Sequence, residues 1–303
     1  MAMKKCPEAV YHVYQRSRGG GLVFYSQRDY LVFFTGFCAL ARRCGQHILA
    51  LCPMPDHIHH IQVAGEGMSL TQFVGQYTQH FSTLWNRSRG RNGSLFEPLG
   101  QALKRGGKPI RTTLAYNYNN PVERQLIEKA DKYRWNFLPY ASSGHPFSPP
   151  ILSRCLSRPF KRVLAEAEAC FAQEKGVNYA QLQRWQNCLS PLEQQQLTDH
   201  VIDLWNVIDY ETAWSYYGSL DTMVRAFRDN TGSEYDLQEE WDPYSDAVYA
   251  DCTRVLLKEC SLKDVYEIPS LSADRKSQLF SLLQQRTTAR PRQIAKYLWH
   301  LNA

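Results

Sequence analysis

Strand and helix patterns alternate through the first 130 residues of the 303-residue chain, and their order strongly constrains the fold. Two-residue alternation, typical of strands, and three- to four-residue spacing, typical of helices, follow one another. The predicted segments are a strand over 10–17, a helix over 29–44, strands over 46–52 and 56–63, a helix over 69–86, a strand over 101–105 and a helix over 109–130. This β-α-β-β-α-β order, followed by a helix, predicts an α+β domain of the ferredoxin-like, split βαβ type. We expect its first and third strands to be central, with helices covering one sheet face and the other face open.

The predicted third strand carries a histidine pair, His57 and His59, separated by Ile58. Side chains alternate between the two faces of a strand. His57 and His59 therefore share one face, while Ile58 and His60 point to the other. Two imidazoles side by side on a rigid strand are half of a metal site, although a solvent-facing histidine pair has the same pattern.

The last predicted helix of this set, over 109–130, carries Tyr116 and Asn120. Residues four apart lie one above the other on a helix face. A phenol next to an amide oxygen is suited to a nucleophile beside a third metal ligand. Pro121 follows directly, and a proline inside a helix kinks it or ends it.

The first half of the chain resembles the HUH single-tyrosine transposases, and within them the REP-associated tyrosine transposase branch. The resemblance covers slightly under half the chain, from Tyr11 to about Tyr140, and consists of five blocks in the same order. They are Tyr11-His12-Val13-Tyr14-Gln15-Arg16, Leu51-Cys52-Pro53-Met54-Pro55-Asp56-His57-Ile58-His59, Gly93-Ser94-Leu95-Phe96, Tyr116 to Val122, and Tyr133-Arg134-Trp135. Three features depart from the family pattern: Asp56 replaces an asparagine, Asn117-Tyr118 replaces isoleucine and histidine, and His60 is an additional histidine.

The resemblance implies an HUH-type ferredoxin-like domain that cleaves and transfers single-stranded DNA beside a hairpin. Residue by residue, it implies that Tyr116 is the nucleophile of a covalent 5′-phosphotyrosine intermediate and that His57, His59 and Asn120 hold a divalent metal. The mixed nitrogen and oxygen ligands suit Mg²⁺ or Mn²⁺, and the lack of a cysteine or carboxylate ligand disfavours zinc. Tyr118 is the competing nucleophile. Asp56 is either a residue that orients a histidine or an ordinary turn residue.

The distribution of charge separates the two halves of the chain. Residues 1–145 hold 18 Lys and Arg against 8 Asp and Glu, whereas residues 146–303 hold 17 against 21. A basic half indicates a polyanionic partner, although basic surfaces also serve solubility. Together with the His and Tyr pattern, this predicts binding of single-stranded or hairpin DNA, through Arg16, Arg18, Arg87, Arg89, Arg91, Lys104, Arg105, Lys108 and Arg111.

Several broader expectations concern the whole chain. A linker rich in Pro, Ser and Gly over 142–150 predicts a catalytic domain over 1–145 and a helical accessory region of unknown role over 146–303. The predicted helices of that region cover 160–175, 179–187, 191–207, 219–228, 249–260 and 273–285, with an acidic loop over 236–246 and a short basic helix near 290–299. That last helix is either an ordinary terminal helix or the second helix of a helix-turn-helix.

The sequence also predicts a cellular setting. Nine cysteines without a C-x-x-C pair argue against a disulfide framework or a zinc ribbon. The N-terminus has no apolar signal core, and no apolar run is long enough to cross a membrane. We therefore expect a cytoplasmic, nucleoid-associated protein that is a monomer or a homodimer.

Three other functions fit parts of the sequence. The first alternative is a non-catalytic ferredoxin-like protein that binds single-stranded nucleic acid. The others are a scaffold built around the acidic helical half and a plasmid replication initiator or relaxase, which usually has other surrounding motifs and a second catalytic tyrosine.

Overall fold

The first half of the chain forms four strands and three long helices. A computed structural model describes residues 7–152, 156–229, 245–260 and 262–299. The elements are β1 (Ala9–Arg16), α1 (Gln27–Arg43), β2 (Ile48–Met54), β3 (His57–Val63), α2 (Leu70–Ser88), β4 (Gly100–Arg105) and α3 (Gly107–Glu123). Their order is the predicted one, and the fold class is α+β.

The four strands form one antiparallel sheet with the order β2-β3-β1-β4. The first and third strands are therefore central, as the sequence indicated. In the β1–β3 ladder, Tyr14 lies opposite His59 and Arg16 opposite His57. In the β1–β4 ladder, Tyr14 lies opposite Gly100. Tyr14 on β1 therefore lies between His59 on β3 and Gly100 on β4.

Both faces of the sheet are covered, and the prediction of an open face was wrong. Helices α1 and α2 pack on one face, where Val13, Leu51 and Ile58 join a large apolar cluster. Helix α3 packs on the other face through Ile110, Leu114 and Tyr118, against strand residues that include Leu49 and Ile61. The apolar side of α3 needs a partner, and the sheet supplies it.

Helix α3 ends at Glu123, earlier than the predicted residue 130. Pro121 lies in its last turn, where a missing N–H removes only one bond near the helix end. Gln125 then adopts φ 52°, which leaves the helical region, and the Leu126 amide donates to the Pro121 carbonyl at 2.9 Å. The chain turns away directly after the segment that carries Tyr116 and Asn120.

The described residues of the second half are mostly helical, as predicted, and their α-helices include a short one that the sequence did not indicate. Its helices are α4 (Arg158–Ala172), α5 (Tyr179–Asn187), α6 (Pro191–Trp205), α7 (Tyr210–Ser215), α8 (Leu220–Asp229), α9 (Val248–Glu259), α10 (Ala273–Arg286) and α11 (Pro291–Leu298). The unpredicted helix is α7, which has only six residues. Most of the predicted acidic loop, residues 236–244, lies outside the described residues.

The second half packs directly on the first. Residues of α4, α5 and α6 join the cluster on the α1 and α2 side, whereas α7 and α8 contribute to the cluster under α3. Helices α9, α10 and α11 form a third cluster that also includes Leu22. The division at residue 146 stays a prediction. Within the described ranges, no helix is both long and apolar enough to cross a membrane.

Candidate functional site

His57 and His59 share one face of β3, as strand alternation predicted, and α3 covers that face. Their rings lie edge to face with centroids 4.9 Å apart. The ring of Tyr116 on α3 lies perpendicular to that of His59, with centroids 5.5 Å apart. The fold thus brings Tyr116 of α3 against the histidine pair of β3, which lies about 60 residues earlier in the sequence.

The Asn120 carboxamide lies between the two histidines. Its Nδ2 donates to His59 Nε2 at 3.2 Å, and its Oδ1 lies 3.3 Å from His57 Nε2. Both Nε2 atoms therefore converge on one small polar group. A divalent cation that binds two imidazoles and an amide oxygen needs such convergence.

The far nitrogen of each histidine also has a partner. His57 Nδ1 lies 2.6 Å from Asp56 Oδ1, and His59 Nδ1 lies 3.1 Å from His12 Nε2 on β1. Histidines that bind metals almost always donate the other ring N–H to a carboxylate, carbonyl or similar group, which fixes the tautomer and the ring orientation. The residues present therefore fit a cation held by His57, His59 and Asn120. Among the described residues, no group of three or more His, Cys, Asp or Glu could hold a metal, so the amide would be an essential ligand.

Electrostatics favour the neutral form of His59 and the charged form of Asp56. Burial lowers the pKa of His59 well below its usual value, and nearby His57, His12 and Arg16 lower it further. A neutral imidazole is the form that binds metals. Burial alone would raise the pKa of Asp56. His57, Lys296 and Arg124 outweigh that effect and hold the pKa well below its usual value.

Little of this site reaches solvent in the present conformation. His57 is 7% exposed, Tyr116 4% and Asn120 3%. On the same sheet face, the accessible neighbours are Tyr14, which is 36% exposed, and Arg16, at the end of β1. A ligand from solvent therefore reaches Tyr116 only if side chains at this rim move.

The other residues considered at the sequence level have different surroundings. The Tyr118 hydroxyl donates to the Leu49 carbonyl at 3.2 Å, and its ring is fully buried in the cluster under α3. His60 lies on the opposite sheet face and packs against Phe37, Phe73 and Tyr77. Both environments are those of core residues.

The nine predicted DNA contacts do not form one surface patch. Arg16 lies opposite His57, whereas Arg105 lies opposite Ala9 at the other end of β1. At about 3.3 Å per residue, these ends are roughly 23 Å apart. Arg18 forms an exposed ion pair with Glu97 at 3.8 Å. The remaining surface positions are Arg87 on α2, the half-buried Lys104 on β4, and Lys108 and Arg111 on α3.

Two of the nine are engaged within the protein, and the prediction of a surface position was wrong for one of them, Arg89. Arg89 is buried, forms an ion pair with Asp29, and its guanidinium lies over the Trp85 ring at 4.1 Å. It therefore stabilises the core and is not available to a phosphate. Arg91 lies over the Trp299 ring at 4.3 Å and donates to the Pro269 carbonyl at 3.2 Å, so its guanidinium is held by the second half of the chain.

Two residues near the site received no role from the sequence. His12 lies on the same sheet face as the site. The sequence could have indicated this, because His12 is two residues before Tyr14 on a strand predicted to be central, and residues two apart share a face. Lys296 of α11 forms an ion pair with Asp56. No local signal could have identified Lys296, because its partner is at the far end of the sequence.

Comparisons with known proteins give little further information. No protein-family model matches the sequence, and no curated protein matches it. Among solved structures, the chain is similar to a REP-associated tyrosine transposase bound to a REP hairpin. That similarity has 16% identity and a TM-score of 0.38, and covers 48% of this chain and 87% of the other. It is a distant likeness, which assigns no residue of this chain a role.

Proposed function

We propose that this protein cleaves single-stranded DNA and transfers the cut strand, with a divalent metal and a covalent 5′-phosphotyrosine intermediate. The sheet order supports a ferredoxin-like domain of the HUH type for the first half. The observation that carries the proposal is the convergence of His57 Nε2 and His59 Nε2 on the Asn120 amide, with the Tyr116 ring against His59. The substrate is a single strand next to a hairpin.

In the proposed reaction, Tyr116 attacks the scissile phosphate. The phenol loses its proton, a bond forms between its oxygen and phosphorus, and the bond to the 3′ oxygen breaks. The 3′ oxygen leaves as a hydroxyl after taking up a proton, and the 5′-phosphate stays on Tyr116. Transfer runs the same exchange in reverse, with another 3′-hydroxyl as the attacking group.

The residues around Tyr116 supply the positioning. His57, His59 and Asn120 would hold Mg²⁺ or Mn²⁺. The bound cation would neutralise phosphate charge and orient the group for in-line attack. Asp56 and His12 hold the two histidine rings from behind, so that both Nε2 atoms face the same point. Arg16 lies next to His57 on the strand ladder and is placed to contact the backbone of an incoming strand.

The closed rim of the site favours one alternative, a ferredoxin-like protein that binds single strands without cutting them. Tyr14 would serve either function, because an exposed aromatic ring is a platform on which a base can stack. The two functions differ in the covalent adduct, which only the enzyme forms.

Adduct formation tests the proposal. The full chain is incubated with Mn²⁺ and a pool of labelled single strands that carry a hairpin with randomised flanks, and the products are separated on a denaturing gel. We expect a labelled protein band that disappears in Tyr116→Phe and persists in Tyr118→Phe, the matched control two residues away. An adduct in Tyr116→Phe would show that another residue is the nucleophile. Binding without any adduct in the wild type would support the non-catalytic alternative.

A further inference from the structure

Asp56, in the turn between β2 and β3, is held by side chains from three parts of the chain. Its Oδ1 contacts His57 Nδ1, and its Oδ2 forms an ion pair with Lys296 of α11. Arg124, directly after α3, lies 3.9 Å from the same Oδ2. The carboxylate thus links the proposed metal ligand His57 to the last helix of the described chain.

We propose that Lys296 is a positioning residue for the metal site. Lys296 fixes Asp56, and Asp56 in turn fixes His57 with its Nε2 directed at Asn120. This inference rests on the proposed function, because it concerns how tightly that site holds its cation. It gives the helical second half a role in the chemistry of the first half.

The backbone around Lys296 is anchored to the segment between β1 and α1. The Leu22 amide donates to the Lys296 carbonyl at 3.3 Å, and the Trp299 indole donates to the Leu22 carbonyl at 2.7 Å. The Tyr25 hydroxyl donates to the Tyr297 carbonyl at 2.6 Å. These bonds hold the backbone at Lys296 and at the residues directly after it, so its ammonium group approaches Asp56 from a fixed direction.

Arg124 is poorly placed to replace Lys296. Its Nε lies 3.7 Å from Asp246, a second buried carboxylate supplied by the second half of the chain. Two carboxylates and two cations therefore alternate in this cluster. Without Lys296, Asp56 and Asp246 would share one guanidinium, and Asp56 would be drawn toward Arg124 and away from His57.

The ion pair between Lys296 and Asp56 is largely shielded from solvent, so its loss should affect the position of Asp56. The Asp56 side chain is 13% exposed and that of Lys296 is 15% exposed. Exposed pairs contribute little, whereas removing one partner of a sheltered pair leaves a charge without compensation. Loss of a group that orients a metal ligand typically weakens metal binding by about 10- to 100-fold. Lys296 contacts Asp56 and not the metal ligand His57 itself, so we expect its loss to weaken metal binding by about tenfold, the lower end of that range.

Direct metal binding tests this inference. Mn²⁺ is titrated into the full chain, and free Mn²⁺ is measured by electron paramagnetic resonance, without DNA. We expect about tenfold weaker binding in Lys296→Met, recovery in Lys296→Arg, and no change in Lys258→Met, an exposed lysine on α9. His57→Ala identifies the binding that belongs to the proposed site. Lys296→Gln serves in place of Lys296→Met if the latter does not fold.

A second measurement reads the same contact without metal. In ¹⁵N-labelled protein, the His57 Nδ1 proton gives a strongly downfield signal while it is bonded to Asp56. We expect that signal to move or broaden in Lys296→Met and to return in Lys296→Arg.

The outcomes separate the inference from the proposed function. Wild-type Mn²⁺ binding that depends on His57 but is equally tight in Lys296→Met would overturn the role of Lys296 and leave the function standing. Absence of His57-dependent binding in the wild type would overturn the function. An unchanged His57 signal in Lys296→Met would then overturn the positioning role as well.

Discussion

Replacing His60 tests whether the three neighbouring histidines of β3 have separate tasks. His60 is fully buried on the α1 and α2 side of the sheet, and its Nε2 lies 3.0 Å from Gln62 Oε1. Burial lowers its pKa from the ordinary 6.5 to about 4, although the bond to Gln62 acts in the opposite direction. We therefore expect His60 to be a neutral core residue whose protonation opposes folding.

The effect of His60 on the free energy of unfolding follows from proton linkage. A histidine whose pKa is lower in the folded than in the unfolded protein makes unfolding easier as the pH falls, because the unfolded state binds the proton more tightly. The stability is fully present above pH 6.5 and is lost as the pH falls toward 4. A difference of about 2.5 pKa units corresponds to about 3 kcal/mol in total, of which about 2 kcal/mol is lost between pH 8 and pH 5.

The assay compares unfolding by urea at pH 8 and pH 5, followed by tryptophan fluorescence. His60→Gln keeps a donor for Gln62 and cannot titrate, so its loss of stability between the two pH values should be about 2 kcal/mol smaller than that of the wild type. His80→Gln, at an exposed position on α2, is the control and should change the pH dependence much less. Equal losses in the wild type and in His60→Gln would refute the assignment of His60 to the core. The His60→Gln protein should still form the covalent adduct.

Two further predictions concern the rim of the site. A Cβ at residue 100 would lie 2.0 Å from Tyr14 Cζ, so Gly100→Ala should displace that ring. If Tyr14 stacks on a base, Gly100→Ala and Tyr14→Ala should each weaken single-strand binding, by up to about 1–3 kcal/mol, and the double variant should be no weaker than Tyr14→Ala alone. Binding is measured by fluorescence anisotropy. If the losses of binding free energy in the two single variants add up in the double variant, residue 100 does not act through Tyr14. Arg16→Gln should reduce the salt dependence of single-strand binding by about 0.7 in the log–log slope, whereas Arg254→Gln on α9 should leave it unchanged. Equal slopes for the wild type and Arg16→Gln would show that Arg16 contacts no phosphate.

The sequence predicted local and periodic features well. Strand alternation placed His57 and His59 on one face and His60 on the other, and the four-residue spacing placed Tyr116 and Asn120 together on α3. These results depend only on the geometry of single elements and on the order of strands in the sheet. They required no knowledge of the rest of the chain.

Features that depend on distant packing could not be predicted in the same way. The apolar residues of α3 are compatible with packing on either side of the sheet, so their spacing alone could not show that α3 covers the face opposite α1 and α2. Arg89 looked like a surface residue because its neighbours Arg87 and Arg91 are also basic. Its partner Asp29 lies on another helix, and only the fold shows that the two charges meet in the core.

The packing of α1 leads to a final prediction about the division of the chain. Between Asp29 and Ala41, every residue of α1 except Gly36 is buried, so the helix is enclosed on all sides. The sheet covers one side, and the second half covers another: a Cβ at Gly176 would lie 2.7 Å from the backbone nitrogen of Gly36. Leu197, Val201, Ile202 and Trp205 of α6 are buried in the same cluster.

A fragment that ends at Ser148 would expose the surfaces which these side chains cover. Burial of one large apolar side chain contributes about 1.5–3 kcal/mol, and loss of α6 would expose several such side chains of α1. The loss is therefore comparable to the stability of a typical domain, about 5–15 kcal/mol. Arg134 would also lose Asp199, its buried partner on α6. We therefore expect the fragment to lack the cooperative unfolding transition and the dispersed NMR spectrum of the full chain. A folded, monomeric fragment that binds single strands with the same salt dependence as the full chain would contradict this expectation, and would support an independent catalytic domain over residues 1–145.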